Sequence, residues 1–383
     1  MFRLTLVVVL LLGAVAHAEE KRPTKIWNRT GSLGESPRHV TDAFPLSDQQ
    51  NKGGWVKFEP MIDEFEGKEL DRNKWVVGLE WWKGRQPALF SEKNVTVSGG
   101  KLHLTMRKER LPPEVTKQGY HDYTSAALHS KTRSSYGYYE VKAKPMNSAG
   151  SSSFWFHNEG KPDWHTEIDV FEVGGKAKGF EQKYNMNLHV FQTPQEKKHW
   201  DVQHTWIAPW RLADDYHVYG LEWGREEIKY FVDGIVVRTV ENTHWHQPLY
   251  LTFDSETMPE WFGMPDDKDL PSTFTVEYVR AWKKGAAENV GRTKTSFKGW
   301  ELYVWQKGGN TYFSLMEGTN RLKTADEIDK AAVKGIDALK PNLDELKPGE
   351  AVFLSGKKLL TQPPKEQAKL VREYCKKIGL KCQ

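Results

Sequence analysis

Between residues 51 and 285 the chain alternates apolar and polar positions in short runs separated by turn residues. Asn94-Val-Thr-Val97, then Ser-Gly-Gly100, then Lys101-Leu-His-Leu-Thr-Met106 is one such unit. Tyr136–Ala143, His217–Trp223, Ile228–Val232, Ile235–Val240 and Thr273–Trp282 repeat the pattern. A period of two puts alternate side chains on one face, so each run predicts a half-buried strand. Asp233-Gly234, between two of the runs, predicts a two-residue hairpin turn. No helical period persists for three turns anywhere in this stretch. Many short strands without interleaved helices predict an all-β, antiparallel β-sandwich.

The flanks differ. Met1–Ala18 has a basic start, an apolar run from Leu4 to Val15 and a small-x-small ending, the pattern of a signal peptide cut after Ala18. The run is shorter than the ~20 apolar residues of a spanning helix, so the chain is expected to be exported, secreted or periplasmic, with no membrane segment. Residues 19–50 are polar, rich in Pro, Gly and Ser, and read as a leader, either loosely ordered or laid over the domain surface. Residues 51–285 form the sandwich domain, 286–296 a linker, and 297–383 a small α/β domain of unassigned role. In that last unit Trp300–Trp305, Thr311–Leu315 and Ala351–Leu354 read as strands, and Ala325–Leu339 and Pro364–Ile378 as helices. The two cysteines, Cys375 and Cys382, fit either a local disulfide clip or two free thiols.

Composition adds two constraints. The chain carries 16 Trp, 14 Tyr and 17 Phe, which suits a packed core and equally a cleft where sugar rings stack on indoles. The net charge of +4 comes with no basic run of the nucleic-acid-binding kind.

The chemistry is concentrated in Trp164-His-Thr-Glu-Ile-Asp-Val-Phe-Glu172. Ile, Val and Phe favour a strand, but three acids within six residues are costly there unless they face a wet cleft. Glu167 and Asp169 share a face. Glu172, five residues after Glu167, falls on the other face of a regular strand. A β-bulge between Asp169 and Glu172 supplies the missing residue and brings it back. The two glutamates then flank one point, with Cα atoms about 13 Å apart and side chains able to lean together. Paired carboxylates of this kind hydrolyse glycosidic bonds, with retention when ~5–5.5 Å apart. One serves as nucleophile and the other as acid then base, while Asp169 between them bonds the nucleophile and helps keep the other protonated. An acidic, solvated edge strand is the alternative.

Glu-Ile-Asp-Val-Phe-Glu resembles the Glu-x-Asp-x-x-Glu signature of glycoside hydrolase family 16, a family of jelly-roll, concanavalin-like sandwiches with a bulged catalytic strand. Ser134–Lys142, Ser152-Ser-Phe-Trp-Phe156, His217–Trp223, Tyr230–Gly234 and Val276–Trp282 support the resemblance, which spans roughly residues 55–284. It implies Glu167 as nucleophile and Glu172 as acid/base. Trp82-Lys-Gly-Arg85, Ser152-Ser153 and Phe253-Asp-Ser-Glu256 resemble the β-agarase and β-porphyranase branch. The implied substrate is a red-algal galactan, agarose or porphyran, cut within the chain at β-1,4 linkages by a monomeric enzyme. κ-Carrageenases and laminarinases share the signature. A transglycosylase and a non-catalytic carbohydrate-binding sandwich also fit the scaffold.

Of the other candidates, Trp82 and Arg85 read as sugar-binding loop residues and Trp164 as a stacking platform. His189 reads as lining the cleft or as a core histidine, and Glu256 as a sugar ligand or a structural ion-pair partner. Trp155 reads as core and Trp261 as a cap at one end of the cleft. Arg85, Arg133 and Lys161 are candidates for a sulfate group; the lack of arginine between Arg133 and Glu167 favours neutral agarose. Two-carboxylate catalysis requires no cofactor. Members of the resembling family often hold a structural calcium, for which the sequence assigns no ligands.

Overall fold

The computed structural model describes residues 22–158 and 163–284 in full and, beyond them, the backbone of five strands between 293 and 360. The main strands are β1 (Lys101–Lys108), β2 (Tyr123–Ser134), β3 (Gly137–Lys144), β4 (Ser151–His157), β5 (His165–Gly174) and β6 (Lys183–Gln192), followed by β7 (His217–Trp223), β8 (Glu227–Val232), β9 (Ile235–Glu241), β10 (Leu249–Glu256) and β11 (Ser272–Lys284). The predicted runs therefore form strands, with ends shifted by a residue or two. Asp233 and Gly234 turn the β8–β9 hairpin at φ 49° and 77°, both in the left-handed region.

Two antiparallel layers result. The outer sheet runs Ile26–Asn28, β9, β8, β7, β3, β11, β1, Val95–Ser98. The inner sheet runs from Trp200–Asp201 and His204–Ile207 through β6, β5, β4, β10 and β2 to Trp75–Val77. Pairing of Arg107 and Lys108 with Thr124 and Tyr123 joins the layers at one edge. This is the antiparallel sandwich expected from the alternation, in the jelly-roll form that the resemblance implies.

The core lies between the layers. Phe154, Phe156, Ile168, Leu188, Leu251 and Phe253 face it from the inner sheet, Tyr139, Val141, Leu221 and Phe274 from the outer, all fully buried. Burying each large apolar side chain is worth about 1.5–3 kcal/mol, so the alternation fixes the register: a one-residue slip would turn a whole strand's apolar set outward.

The leader lies over the outer sheet. Ile26–Asn28 pairs with β9, the Leu46 amide donates to Glu140, and the Trp282 indole donates to the Ala43 carbonyl. Among the described residues the only α-helix is Pro113–Thr116, and none is long and apolar enough to cross a membrane.

The five later strands form a separate sheet. Trp300–Lys307 and Asn310–Glu317 make the expected hairpin, and Val352–Ser355 pairs in parallel with the latter. Thr293–Phe297, read from composition as part of the linker, instead pairs with Trp300–Val304. Its alternating, Thr-rich sequence suits a strand, and it pairs at the edge of this sheet. The proposed signal peptide, Lys161, the two cysteines and the two predicted helices lie outside the described residues.

Candidate active site

The carboxylate strand is bulged where its chemistry requires. On β5, Asp169 stands opposite Trp155 of β4, but the next β4 residue, Phe154, faces Phe171, leaving Val170 as the extra residue. Against β6 the register also shifts between Asp169 and Glu172. Val170 and Phe171 are both fully buried in the inter-sheet core, so apolar burial holds the bulge in place. Glu167, Asp169 and Glu172 consequently line one cleft on the opposite face of the inner sheet.

Cross-strand register sets their neighbours. Glu167 is flanked by His157 and His189, Asp169 by Trp155 and Asn187, and Glu172 by Ser153 and Asn185. One strand further, Asp254 and Glu256 of β10 stand opposite Ser153 and Ser151. The cleft has a volume of about 230 Å³; Trp81, Trp82, Arg85 and Phe191 complete its walls around the five carboxylates.

Among the described residues, Arg85 is the one cation lining this cleft. It donates from Nε to Glu256 Oε2 at 2.9 Å and from Nη2 to Oε1 at 3.4 Å. Thr257 Oγ1 donates to the Arg85 carbonyl at 2.8 Å, holding its loop against β10. The Trp155 indole donates to Asp254 Oδ1 at 2.7 Å. Asp169 Oδ2 lies 3.2 Å from His189 Nε2, a contact across neighbouring strands. The Trp245 indole, from behind, donates to the carbonyls of Glu167 and His189.

So many acids around one arginine cannot all be ionised. Burial, then the charges of Asp169 and Glu172, push the Glu167 carboxyl well above the ordinary range. Burial and the charges of Asp169, Glu256 and Asp254 do the same to Glu172, with Arg85 opposing. Burial raises Glu256 to about 7 even with Arg85 beside it. Burial and mutual repulsion therefore favour the protonated forms in this cluster, the condition for a carboxylic acid that donates a proton. For His189, burial disfavours the charged ring, but the nearness and charge of Asp169 outweigh it and raise its pKa.

Trp82, Arg85 and Glu256 lie in the cleft, and His189 touches its floor through Asp169. Trp164 is half-buried and is not among the residues lining this cleft, so the structure gives it no stacking platform there. Trp155, read as core, is 7% exposed and faces the cleft, because Phe154 and Phe156 on either side of it take the core face. Trp261 stacks on Phe262 at 4.3 Å, away from the cleft walls. Asp254 and Phe191, not singled out from sequence, share the cleft face with Glu256 and His189 two residues away. That same period of two was the available signal. Trp81 stacks on Trp82 at 5.9 Å and is 46% exposed.

Among the described residues, Glu167, Asp169 and His189 are the group of three acid or imidazole side chains close enough to share an ion, with ligand-type atoms within 4.8 Å of one another. Calcium takes six to eight oxygens, and two carboxylates with an imidazole do not fit it; the contact of His189 with Asp169 explains the spacing by itself.

Residues 55–284 match the model of the β-porphyranase A–D domain of glycoside hydrolase family 16. β-Porphyranase B of Zobellia galactanivorans is 29% identical, the alignment covering 74% of this chain and 97% of that one. β-Porphyranase E of the same organism is 32% identical over 60% and 88%. The crystal structure of porphyranase B aligns with a TM-score of 0.53 at 29% identity, covering 60% of this chain and 92% of that chain.

Proposed function

The chain belongs to glycoside hydrolase family 16, in its agarase- and porphyranase-like branch, and as such is a glycoside hydrolase; from that premise we propose that it cuts β-1,4 linkages inside a red-algal galactan with retention of anomeric configuration. The observation that carries this reading is the bulge at Val170, which sets Glu167 and Glu172 on one face with Asp169 between them.

In the proposed reaction Glu172 gives its proton to the glycosidic oxygen as the bond to the anomeric carbon breaks. The Glu167 carboxylate attacks that carbon from the opposite side and forms a glycosyl ester. Glu172, now ionised, takes a proton from water, and the resulting hydroxide displaces Glu167. Both groups return to their starting states. Asp169 bonds the Glu167 carboxyl and is itself opposed by His189. Trp81 and Trp82 stack sugar faces, while Arg85, Glu256 and Asp254 bond hydroxyl or sulfate oxygens.

Porphyran is the preferred substrate in this reading, because the relatives are β-porphyranases and Arg85 gives the cleft a cation; agarose follows. The reading also includes export through Met1–Ala18, for which N-terminal sequencing of protein recovered outside the cytoplasm should begin at Glu19. Reducing-end release from porphyran, agarose, κ-carrageenan and laminarin, with product sizing, tests the substrate. Short oligosaccharides from porphyran or agarose are expected, and none from Glu167→Gln or Glu172→Gln. Cleavage of laminarin alone would overturn the galactan assignment, and binding without cleavage of any of the four would overturn the enzyme reading.

A further inference from the structure

His189 does not end at the cleft. Its Nε2 faces Asp169, and its Nδ1 lies 2.9 Å from Nε2 of His199, an exposed residue at the end of the loop between β6 and Trp200. Phe191 stacks on both rings, at 5.5 Å and 13° from His189 and at 4.8 Å and 12° from His199, so the two imidazoles lie nearly parallel and are held in plane. The carboxylate cluster is thus connected to solvent through two imidazoles in series. Resting on the function proposed above, we infer that His199 is a positioning residue that acts through His189 on Asp169, fixing the tautomer and orientation of the imidazole that faces the cleft carboxylates.

Two neighbours compete for Nε2 of His189: Asp169 Oδ2 at 3.2 Å and the Asn187 amide nitrogen at 3.0 Å. The Asn187 oxygen accepts the Leu188 amide, so its nitrogen is the atom that faces the ring. With His199 accepting at Nδ1, that nitrogen keeps its proton. A neutral His189 then accepts from Asn187 and offers Asp169 nothing. A charged His189 sets its positive ring 3.2 Å from Asp169 Oδ2, an atom that accepts no hydrogen bond, and so offsets that carboxylate beside Glu167 by charge. Only the charged form serves the acids.

The groups facing His189 are Asp169 and Glu167 from β5, Asp201 as its register partner on the Trp200–Asp201 strand, and His199 from the loop. His165 packs against Phe191, with ring centroids 4.5 Å apart and planes tilted by 35°. Burial and the charge on His189 lower the His199 pKa, with Asp201 opposing, while Asp169 raises that of His189. Donor and acceptor therefore divide as the geometry requires.

His199→Phe keeps the stack on Phe191 but removes the acceptor, and His199→Gln restores a polar terminus. Losing an acceptor for the charged ring should lower the His189 pKa by roughly half a unit to one unit. The alkaline limb of kcat/KM on the galactan should move down by that amount in His199→Phe and move back in His199→Gln, with KM at acid pH unchanged. Overlaid limbs in all three proteins would overturn the inference. Long-range proton–nitrogen spectra of the imidazoles in the full chain decide the same point without substrate. His189 should carry its neutral-state proton on Nδ1 and titrate lower in His199→Phe; a proton on Nε2, or a titration indifferent to His199→Phe, would refute the relay. If no polysaccharide is cut, the proposed function falls and the imidazole spectra still decide the relay.

Discussion

Arg85 donates through Nε to Oε2 of Glu256 at 2.9 Å, joining a half-exposed loop cation to a glutamate that is 3% exposed on the cleft wall. The pair holds the Trp81–Arg85 loop over the carboxylates and keeps the arginine oriented toward the cleft interior. Arg85→Ala removes the cation and leaves Glu256 buried without its partner, so the Glu256 pKa rises further from about 7 and the wall moves toward neutrality. KM for the galactan should rise about tenfold, equivalent to ~1.4 kcal/mol, with kcat changed much less. Steady-state kinetics of Arg85→Ala and Arg85→Lys decide it; an equal loss confined to kcat would show that the loop acts in the chemistry instead.

Asp169 sits between the two glutamates and against His189. Asp169→Asn keeps the shape but removes the charge that favours a proton on Glu172. A loss of about 10²–10³-fold in kcat is expected. A variant within threefold of wild type at every pH would remove Asp169 from the mechanism.

Trp81 exposes an indole face at the cleft mouth while its partner Trp82 packs on Phe90 and Trp155. Trp81→Ala should raise KM several-fold, in keeping with ~0.5–1.5 kcal/mol for an aromatic contact, and leave kcat and thermal unfolding nearly unchanged. Trp82→Ala should lower the unfolding temperature as well. Parallel kinetic and calorimetric measurements separate the two; a stability loss in Trp81→Ala as large as that in Trp82→Ala would make Trp81 a packing residue.

Away from the cleft, Glu140 is 2% exposed beneath the leader, accepting from the Leu46 amide at 2.8 Å and the Tyr278 hydroxyl at 3.0 Å. Burial raises its pKa from 4.5 to about 7 despite those bonds. A folded-state pKa above the unfolded one means stability present below pH ~4.5 and lost as pH rises through about 7. At 1.36 kcal/mol per unit the loss is on the order of 1–3 kcal/mol. Denaturant titrations of Glu140→Gln should lack this pH-dependent component between pH 4.5 and 8. A wild-type-like pH dependence in the variant would assign the effect elsewhere.

The alternation of apolar and polar residues was enough to place the strands, the β8–β9 turn and the bulge, because each is a local consequence of period two and of burial. The bulge in particular followed from the need to return Glu172 to the face of Glu167, and Val170 and Phe171 supply the buried residues that hold it. The walls of the cleft were less legible. Trp155 and Asp254 come from β4 and β10, and only the cross-strand register brings Asp254 opposite Ser153 and Trp155 opposite Asp169. Trp164, chosen for its nearness in sequence to the carboxylate strand, is not among the described residues lining the cleft. His199 was invisible because its partner, His189, lies ten residues away and is met only when the loop folds back.

The pairing of Glu167 with Glu172 across the bulge is tested most directly by the anomeric configuration of the first product. Proton NMR of porphyran or agarose hydrolysis, recorded before mutarotation, should show the β-anomer of the new reducing end appearing first and the α-anomer only later. Initial appearance of the α-anomer would mean single displacement by water and would contradict Glu167 as nucleophile.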